Sequence, residues 1–203
     1  MRLHYSPTSP FARKCQVCAQ ELGLRERIEL VPAAAHPVTR DRALVELNPL
    51  GQVPTLVTDD GTVLYDSRVI CEYLNETAGG ELIPAEAGAR WPVLVEQSLA
   101  DGISGAALLT RYEMAVRPEP QRWSGWIEGQ LDKVACGLAD LERRAVSFGD
   151  RVDLGTIAFA CALGYLDFRF ASLNWRERHP NAAAWFEWFG GRDAMVATRP
   201  PPG

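Results

Sequence analysis

A short turn near the N-terminus places a serine where it can stabilise a negative charge. Ser9 precedes Pro10 and Phe11, and proline suits the first position of a helix. A hydroxyl at this point faces the positive end of the helix dipole and free backbone N–H groups, so the turn can hold a thiolate or another anionic ligand. The competing interpretation is that Ser9 only caps the helix, and both roles can hold together.

A second segment, residues 48–56, carries a proline directly before a predicted strand. If the bond before Pro54 is cis, the backbone N–H and C=O of Val53 turn outward, where they can pair with an extended peptide ligand. The alternative is an ordinary trans proline at the start of an edge strand, and the sequence by itself favours it.

A third pair of polar residues, Asp66 and Ser67, lies at the next strand-to-helix junction. Ser67 and the helix N-terminus can bind a carboxylate, and Asp66 can bind an ammonium beside it. Together they suit an amino-acid head group, although a capped helix is the simpler explanation.

The five cysteines show neither a disulfide framework nor a metal-binding pattern. Cys15 and Cys18 have a redox-type spacing, but they lie inside the first predicted helix, away from the N-terminal turn that lowers a thiol pKa. There is no second CxxC pair and His179 is remote in sequence, so we predict no metal site. We interpret the cysteines as core or half-buried thiols, kept reduced in a cytoplasm.

Composition excludes several classes of partner. The chain has 203 residues, a formal net charge of −5 and 47% hydrophobic residues. The negative charge argues against nucleic acid and anionic membranes as partners. The longest apolar run, 156–166, is far shorter than the roughly 20 residues that a membrane helix needs. We therefore predict no nucleic-acid and no membrane partner.

The elements that must position these residues fall into two groups. Residues 1–78 predict the order β-α-β-α-β-β-α, with a hairpin signal at Asp59-Asp60-Gly61. Residues 79–88 form a predicted linker of glycine, proline and small residues, and 89–203 show only helical patterns. The helix at 153–169 is apolar on most faces and is predicted to be central. Two tryptophan pairs at helical spacing, Trp123/Trp126 and Trp185/Trp188, are predicted to be core.

Taken together, the three segments resemble the cytosolic glutathione transferase superfamily over nearly the whole chain. The matching stretches are YSPTSPFARK (5–14), NPLGQVPTL (48–56) and DSRVICEYL (66–74). The chain is similar to bacterial members with a serine-type Ser-Pro-Phe turn. The resemblance implies an α/β thioredoxin-like N-terminal domain at 1–78, an all-α C-terminal helical domain at 89–203 that contributes the electrophile pocket, and a homodimer.

The resemblance also implies roles for individual residues. Ser9 would be the catalytic residue, donating its hydroxyl hydrogen bond to the glutathione sulfur. The Val53 backbone, beside a cis Pro54, would pair with the cysteinyl part of glutathione, while Asp66 and Ser67 would bind the γ-glutamyl ammonium and carboxylate. Further candidate contacts are Phe11 and Gln52, with His36 or Thr39 for the glycyl end in a loop that aligns poorly.

The implied chemistry is an acid–base problem. A free thiol with a pKa near 8.5 is only a few per cent thiolate at pH 7. Lowering that pKa to about 6.5–7 requires roughly 2–2.7 kcal/mol of preferential anion stabilisation. One hydroxyl hydrogen bond and a helix N-terminus supply energy of this order. Glutathione would thus be a co-substrate, no metal would be needed, and Ser9 would be a donor, not a nucleophile.

The predicted activity is conjugation of glutathione to small hydrophobic electrophiles, a detoxification chemistry. Two alternatives stay open: a glutathione-dependent isomerase or dehalogenase, and a non-catalytic glutathione-transferase-like binding module. Because positions 9 and 12 hold Ser9 and Ala12 and no cysteine, thiol–disulfide reductase chemistry is disfavoured. The sequence does not identify the electrophile.

Two places depart from the family pattern, both in the helical part. The sixth helix normally begins Ser/Thr-x-x-Asp, but here Asp153 comes first and Thr156 fourth. We expect Asp153 to cap, Thr156 to lack the reciprocal carboxylate, and Gly155 in the first turn to cost up to about 1 kcal/mol. Gly105 stands where relatives often place an acid. Neither departure touches the matches to the glutathione site.

Overall fold

A computed structural model describes residues 1–201 of the protein, and the chain divides into two compact units. The first unit contains Met1–Arg90 together with the chain from Asp193 onward, and the second contains Trp91–Arg192. The chain therefore returns to the first unit after the helical part. The linker predicted at 79–88 stays a prediction.

The first unit is thioredoxin-like, and its element order agrees with the predicted one. Its elements are β1 (Arg2–Tyr5), α1 (Pro10–Glu21), β2 (Glu29–Pro32), α2 (Arg42–Leu47), β3 (Thr55–Val57), β4 (Val63–Leu64) and α3 (Ser67–Ala78). The sheet order is β2-β1-β3-β4, with β1 and β2 parallel and the other neighbours antiparallel. Helices α1 and α3 pack together, and Leu3 and Leu56 are buried in the core of this unit.

One predicted strand is shorter than its sequence pattern. The alternation beginning at Glu26 predicts a strand, but Arg25–Arg27 form a 3-10 turn and β2 begins only at Glu29. The guanidinium of Arg25 closes this turn by donating to the carbonyl of Ile28 at 3.0 Å. Local alternation alone does not distinguish such a turn from a strand.

The second unit is helical, as predicted. Its helices are α4 (Ala87–Ala115, which starts in the first unit), α5 (Ser124–Ala145), α6 (Leu154–Arg169), α7 (Trp175–Arg178) and α8 (Pro180–Phe189). A further short helix, α9 (Asp193–Ala197), belongs to the first unit. Residues 154–163 of α6 are all buried, which confirms its predicted central position.

The side-chain burial corrects two sequence predictions. Trp185 is buried, but Trp188, Trp123 and Trp126 are exposed, so only one of the four tryptophans is core. Helical spacing shows which side chains share a face, but not whether another element covers that face. Four of the cysteines are buried as predicted, whereas Cys136 is exposed.

The start of α6 keeps a complete capping box. The Thr156 N–H donates to Asp153 Oδ1 at 2.9 Å, and the Asp153 N–H donates to the Thr156 hydroxyl at 3.0 Å. The expected loss of the reciprocal bond is therefore wrong, because a hydroxyl at the fourth position accepts the same hydrogen bond as a carboxylate.

Two helical glycines have opposite surroundings. A Cβ added to Gly105 in α4 would meet no atom within 4 Å. A Cβ added to Gly155 would lie 2.6 Å from Glu96 Oε2 and 2.9 Å from Glu96 Cβ. Gly155 therefore makes room for the buried Glu96, which pairs with Arg151 at 2.6 Å.

We expect Gly105→Ala to raise the free energy of unfolding by about 0.5–1 kcal/mol, because alanine restricts the unfolded chain and favours helix. Gly155→Ala is expected to lower it by about 1–3 kcal/mol, because the new methyl overlaps Glu96. Urea unfolding followed by circular dichroism measures both. Equal shifts in the two variants would contradict this explanation.

Within residues 1–201, no single helix has the length and apolar composition needed to cross a membrane. One pair passes that test jointly, Leu154–Arg169 with Ala171–Arg178, and it is bent by 98°.

Candidate functional site

The sheet brings the first two candidate segments to one edge. In the antiparallel pairing of β1 with β3, His4 lies opposite Thr55. The chain leaving β1 toward Ser9 therefore runs beside the chain that enters β3 through Val53 and Pro54. These segments are far apart in sequence and become neighbours through strand pairing.

The third segment reaches the same edge through β4. Leu64 pairs with Leu56, so the chain leaving β4 passes Tyr65 and Asp66 at the end of the sheet where β3 begins. The peptide between Tyr65 and Asp66 is cis. Helix α3 then begins at Ser67, whose carbonyl accepts a hydrogen bond from Cys15 Sγ in α1 at 3.8 Å.

Ser9 caps α1 through its side-chain oxygen, and this cap does not use the hydroxyl hydrogen. Its Oγ accepts from the Ala12 N–H at 3.2 Å, and Pro10 occupies the first helical position. Since the oxygen acts as acceptor in this cap, the hydroxyl hydrogen is not used by it. A half-buried O–H donor thus lies at the positive end of a 12-residue helix. The capping role is confirmed, and it leaves the catalytic role possible.

The Val53–Pro54 peptide is cis. The expectation of a trans proline, which the sequence by itself favours, is wrong, and the cis bond implied by the resemblance is confirmed. Within residues 1–201, neither the N–H nor the C=O of Val53 has a hydrogen-bond partner. A half-buried backbone donor and acceptor are therefore available to a ligand with a backbone of its own.

Two buried side chains that sequence reasoning missed hold this loop in place. Asn48 Nδ2 donates to the Gln52 carbonyl at 3.2 Å and to Thr55 Oγ1 at 3.0 Å, while Asn48 Oδ1 accepts from the Leu50 N–H at 3.0 Å. The Thr55 hydroxyl donates to the Gln52 carbonyl at 2.9 Å. The available signal was Asn48 before Pro49, a common turn start whose side chain bonds its own backbone.

Asp66 and Ser67 form the start of α3 as expected for a capped helix. Asp66 Oδ1 accepts from the Arg68 N–H at 2.9 Å, and Oδ2 pairs with Arg68 Nη2 at 2.9 Å. These bonds from Arg68 hold the pKa of Asp66 below its ordinary value, so the group stays negative. Ser67 is buried, and within residues 1–201 its hydroxyl has no hydrogen-bond partner.

The remaining predicted contacts are more peripheral. Phe11 is half-buried in the first turn of α1, and the Gln52 side chain is exposed. His36 is exposed, and its Nδ1 accepts from the N–H groups of Val38 and Thr39 at 3.2 and 2.9 Å. Its ring thus organises the 36–39 turn.

A cavity of about 530 Å³ lies elsewhere in the first unit. It is lined by glutamates of α3 and the following loop, and by Arg90. None of the predicted site residues lines it.

Arg13 has a structural role that sequence reasoning also missed. Arg13 is only 6% exposed, and its guanidinium donates to the Met195 carbonyl at 2.8 Å and to Thr198 Oγ1 at 3.3 Å. It thereby fastens α9 to α1, one turn after Ser9. Long-range bonds of this kind leave no local sequence signal.

The thiols of the first unit belong to its core. Cys15 and Cys71 lie 3.8 Å apart at their sulfurs, between α1 and α3. A hydrogen bond with Cys71 and complete burial raise the pKa of Cys18, so this thiol is not a reactive thiolate. Within residues 1–201, no group of three or more histidine, cysteine, aspartate or glutamate side chains is arranged to hold a metal ion.

Comparison with known families matches both parts of the chain. Residues 8–77 match the glutathione S-transferase N-terminal domain, and residues 124–187 match the glutathione S-transferase C-terminal domain. The uncharacterized GST-like protein YibF of Escherichia coli (strain K12) is 35% identical, with 99% of each chain covered.

Solved structures agree with these matches. A glutathione transferase family member from Pseudomonas fluorescens Pf-5, solved with bound glutathione, is 45% identical with a TM-score of 0.96, and 98% of each chain is covered. A structure from the same organism with bound S-(propanoic acid)-glutathione is 43% identical with a TM-score of 0.91, covering 99% of this chain and 100% of the other.

Proposed function

Because this chain belongs to the glutathione S-transferase family, we propose that it is an enzyme that binds glutathione, stabilises its thiolate and conjugates it to small electrophiles. The proposal is supported by relatives that were solved with glutathione bound. It is also supported by the groups at the end of the sheet where the three segments meet. These are the Ser9 hydroxyl as a donor to an anion, the peptide groups of Val53, and the N-terminus of α3.

Each part of glutathione would be bound by different groups of this chain. The Val53 backbone pairs with the cysteinyl part of glutathione beside Pro54, with Gln52 and Phe11 at the margin. Ser67 and the start of α3 bind the γ-glutamyl carboxylate, while Asp66 binds the ammonium. These contacts set the sulfur near Ser9. Its hydroxyl then donates to the sulfur in a serine-type active-site turn.

The observation that carries the proposal is that the helix cap leaves the hydroxyl hydrogen of Ser9 available as a donor. The cap at Ala12 uses the oxygen as an acceptor, so the O–H can point at an anion without loss of the cap. A hydrogen bond to a charged group contributes about 1.5–3 kcal/mol, which matches the roughly 2–2.7 kcal/mol needed to lower a thiol pKa to 6.5–7.

The test is glutathione binding by calorimetry, together with thiolate absorbance of the bound complex against pH. We expect binding and a bound-thiol pKa below that of free glutathione. Absence of binding in the wild type would refute the proposal. Product analysis with a panel of electrophiles then separates conjugation from isomerisation and dehalogenation. Binding without turnover of any electrophile would favour the non-catalytic module.

Asp66→Asn is expected to weaken glutathione binding about tenfold at pH 7. The half-exposed carboxylate contributes a free energy at the lower end of the range for hydrogen bonds to charged groups. Calorimetry measures the effect, and desamino-glutathione is the control, since it lacks the ammonium and should bind both proteins equally. Because the pKa of Asp66 is lowered, the contribution persists above its ordinary pKa and is lost only as the pH falls through the lowered value. Equal weakening for both ligands would contradict the assigned contact.

We further propose that the protein forms a homodimer, and that an apolar stripe on α4 lies in the interface between the two subunits. Trp91 and Val95 lie one turn apart and are 62% and 55% exposed. We expect a solution mass of twice 22.4 kDa for the wild type and a shift to monomer for Trp91→Glu. Trp123→Glu is the matched control, since Trp123 is 67% exposed outside this stripe. Sedimentation measures the masses, and a monomeric wild type would contradict the proposal.

A further inference from the structure

Asn48 is a buried polar residue that holds the loop before β3 by bonding three consecutive residues. It is only 1% exposed. Its Oδ1 accepts from the Leu50 N–H at 3.0 Å, its backbone carbonyl accepts from the Gly51 N–H at 2.7 Å, and its Nδ2 donates to the Gln52 carbonyl at 3.2 Å. One residue therefore fixes the course of the chain from 48 to 52.

The carbonyl of Gln52 receives hydrogen bonds from two buried side chains. Besides Asn48 Nδ2, the hydroxyl of the fully buried Thr55 donates to it at 2.9 Å. Thr55 Oγ1 in turn accepts from Asn48 Nδ2 at 3.0 Å, so the three groups form a closed triangle. Both acceptor positions of the carbonyl are used, and its direction is set from the interior of the unit.

The direction of the Gln52 carbonyl also sets that of the Val53 N–H, because both belong to one peptide group. The Gln52–Val53 peptide is trans. In a planar trans peptide the C=O and the N–H point in opposite directions. Since the carbonyl faces Asn48 and Thr55, the N–H faces away from them, and within residues 1–201 it has no hydrogen-bond partner.

We propose that Asn48 and Thr55 are positioning residues of the glutathione site, which orient the Val53 N–H toward the cysteinyl carbonyl of the bound tripeptide. The inference deepens the proposed function and rests on it. Without two donors in the interior, the Gln52 carbonyl would turn toward water, and the Val53 N–H would turn inward with it. Binding would then have to supply the free energy that reorients the peptide group, so the affinity for glutathione would fall.

The competing explanation is a role in stability alone, since any buried hydrogen bond contributes to folding. Thr58 provides a matched comparison, because it is also buried and directly follows β3, at the opposite end of the strand from Pro54. Its hydroxyl donates to the Thr62 carbonyl at 3.0 Å. Thr55→Val and Thr58→Val therefore remove the same chemical group from the two ends of one strand, and only the first of them bonds Gln52.

The experiment measures binding of two ligands by calorimetry. One is glutathione, and the other is γ-glutamylcysteamine, which keeps the γ-glutamyl group and the thiol but lacks the cysteinyl carbonyl and the glycine. We expect Thr55→Val to weaken glutathione binding about tenfold and to change γ-glutamylcysteamine binding less than about twofold. Asn48→Ala leaves β3 intact and should show the same selective loss, which tests the role independently of Thr55. Thr58→Val should lose stability in urea unfolding and bind both ligands as the wild type does.

A conservative variant and steady-state kinetics separate positioning from catalysis. Thr55→Ser keeps the hydroxyl and should bind glutathione within about twofold of the wild type. In Thr55→Val the KM for glutathione should rise about tenfold with an electrophile that the wild type turns over. Its kcat should be kept, because Ser9 and the start of α1 are untouched.

Three results would overturn the positioning role while the wild type still binds glutathione. They are equal weakening of both ligands in Thr55→Val, unchanged glutathione binding in Thr55→Val and Asn48→Ala, and a loss of glutathione binding in Thr58→Val as large as that in Thr55→Val. A wild type that does not bind glutathione would overturn the proposed function, and the positioning role with it.

Discussion

Replacing Ser9 by alanine is expected to raise the pKa of the bound glutathione thiol by about 1–2 units while most of the binding is kept. The binding persists because the Val53 backbone and the start of α3 are untouched. The thiolate loses its one side-chain donor, so the fraction ionised at pH 6.5 falls. We expect kcat/KM at that pH to drop about 10- to 100-fold, and the difference to shrink as the pH rises above both pKa values.

The same substitution removes the cap of α1, so stability must be separated from chemistry. Ser9→Ala should cost about 0.5–2 kcal/mol of stability, whereas Ser9→Gly should cost only a few tenths, because glycine is a tolerated cap. Both should raise the thiol pKa alike, since both lack the hydroxyl. Ser9→Thr should restore much of the shift.

Thr8→Ala is the control for this series, because its hydroxyl bonds Ser6 at 3.2 Å and is assigned no contact with sulfur. Absorbance of the bound thiolate against pH measures every variant. An unchanged thiol pKa in Ser9→Ala, or an equal shift in Thr8→Ala, would contradict the role given to Ser9.

Replacing Arg13 by alanine is expected to lower the free energy of unfolding by about 2–4 kcal/mol, the largest stability effect anticipated for a single residue of the first unit. The change opens a cavity in a buried site and leaves the Met195 carbonyl without its donor at 2.8 Å. Helix α9 should then exchange its amide hydrogens faster than the sheet does. Chemical denaturation and hydrogen exchange measure the two effects.

Companion variants show which property of Arg13 matters. Arg13→Met keeps most of the volume and loses the donors, so it should recover only part of the stability. Thr198→Val removes only the longer bond of 3.3 Å and should cost about 1 kcal/mol. Arg199→Ala, at an exposed neighbour, should stay within about 0.5 kcal/mol of the wild type. An Arg13→Met protein as stable as the wild type would show that α9 is held by other contacts.

Much of the architecture followed from local patterns. Alternation and caps predicted the order of elements in the first unit, and the Ser9-Pro10 signature placed the start of α1 correctly. The apolar pattern of 153–169 identified the central helix. These features depend on residues a few positions apart, so a single sequence contains nearly all the information that determines them.

The errors differ in kind. Three tryptophans predicted to be core are exposed, the box at Asp153 and Thr156 closes through a hydroxyl, and the proline at position 54 is cis where the segment alone favours trans. The exposure of the tryptophans depends on whether another element covers their face, and a periodic pattern carries no record of that neighbour. The box is a local contact, and its closure follows from the ability of the Thr156 hydroxyl to accept the hydrogen bond.

The sequence by itself determined the fold class, the helical cap at Ser9 and the three segments that resemble a glutathione site. Only the tertiary structure decided that the Val53 backbone has no partner among residues 1–201, and that Arg13 fastens α9 to α1. The reason is physical: helix and strand preferences act over a few bonds, whereas the satisfaction of a polar group is settled by residues that meet only after the chain has folded.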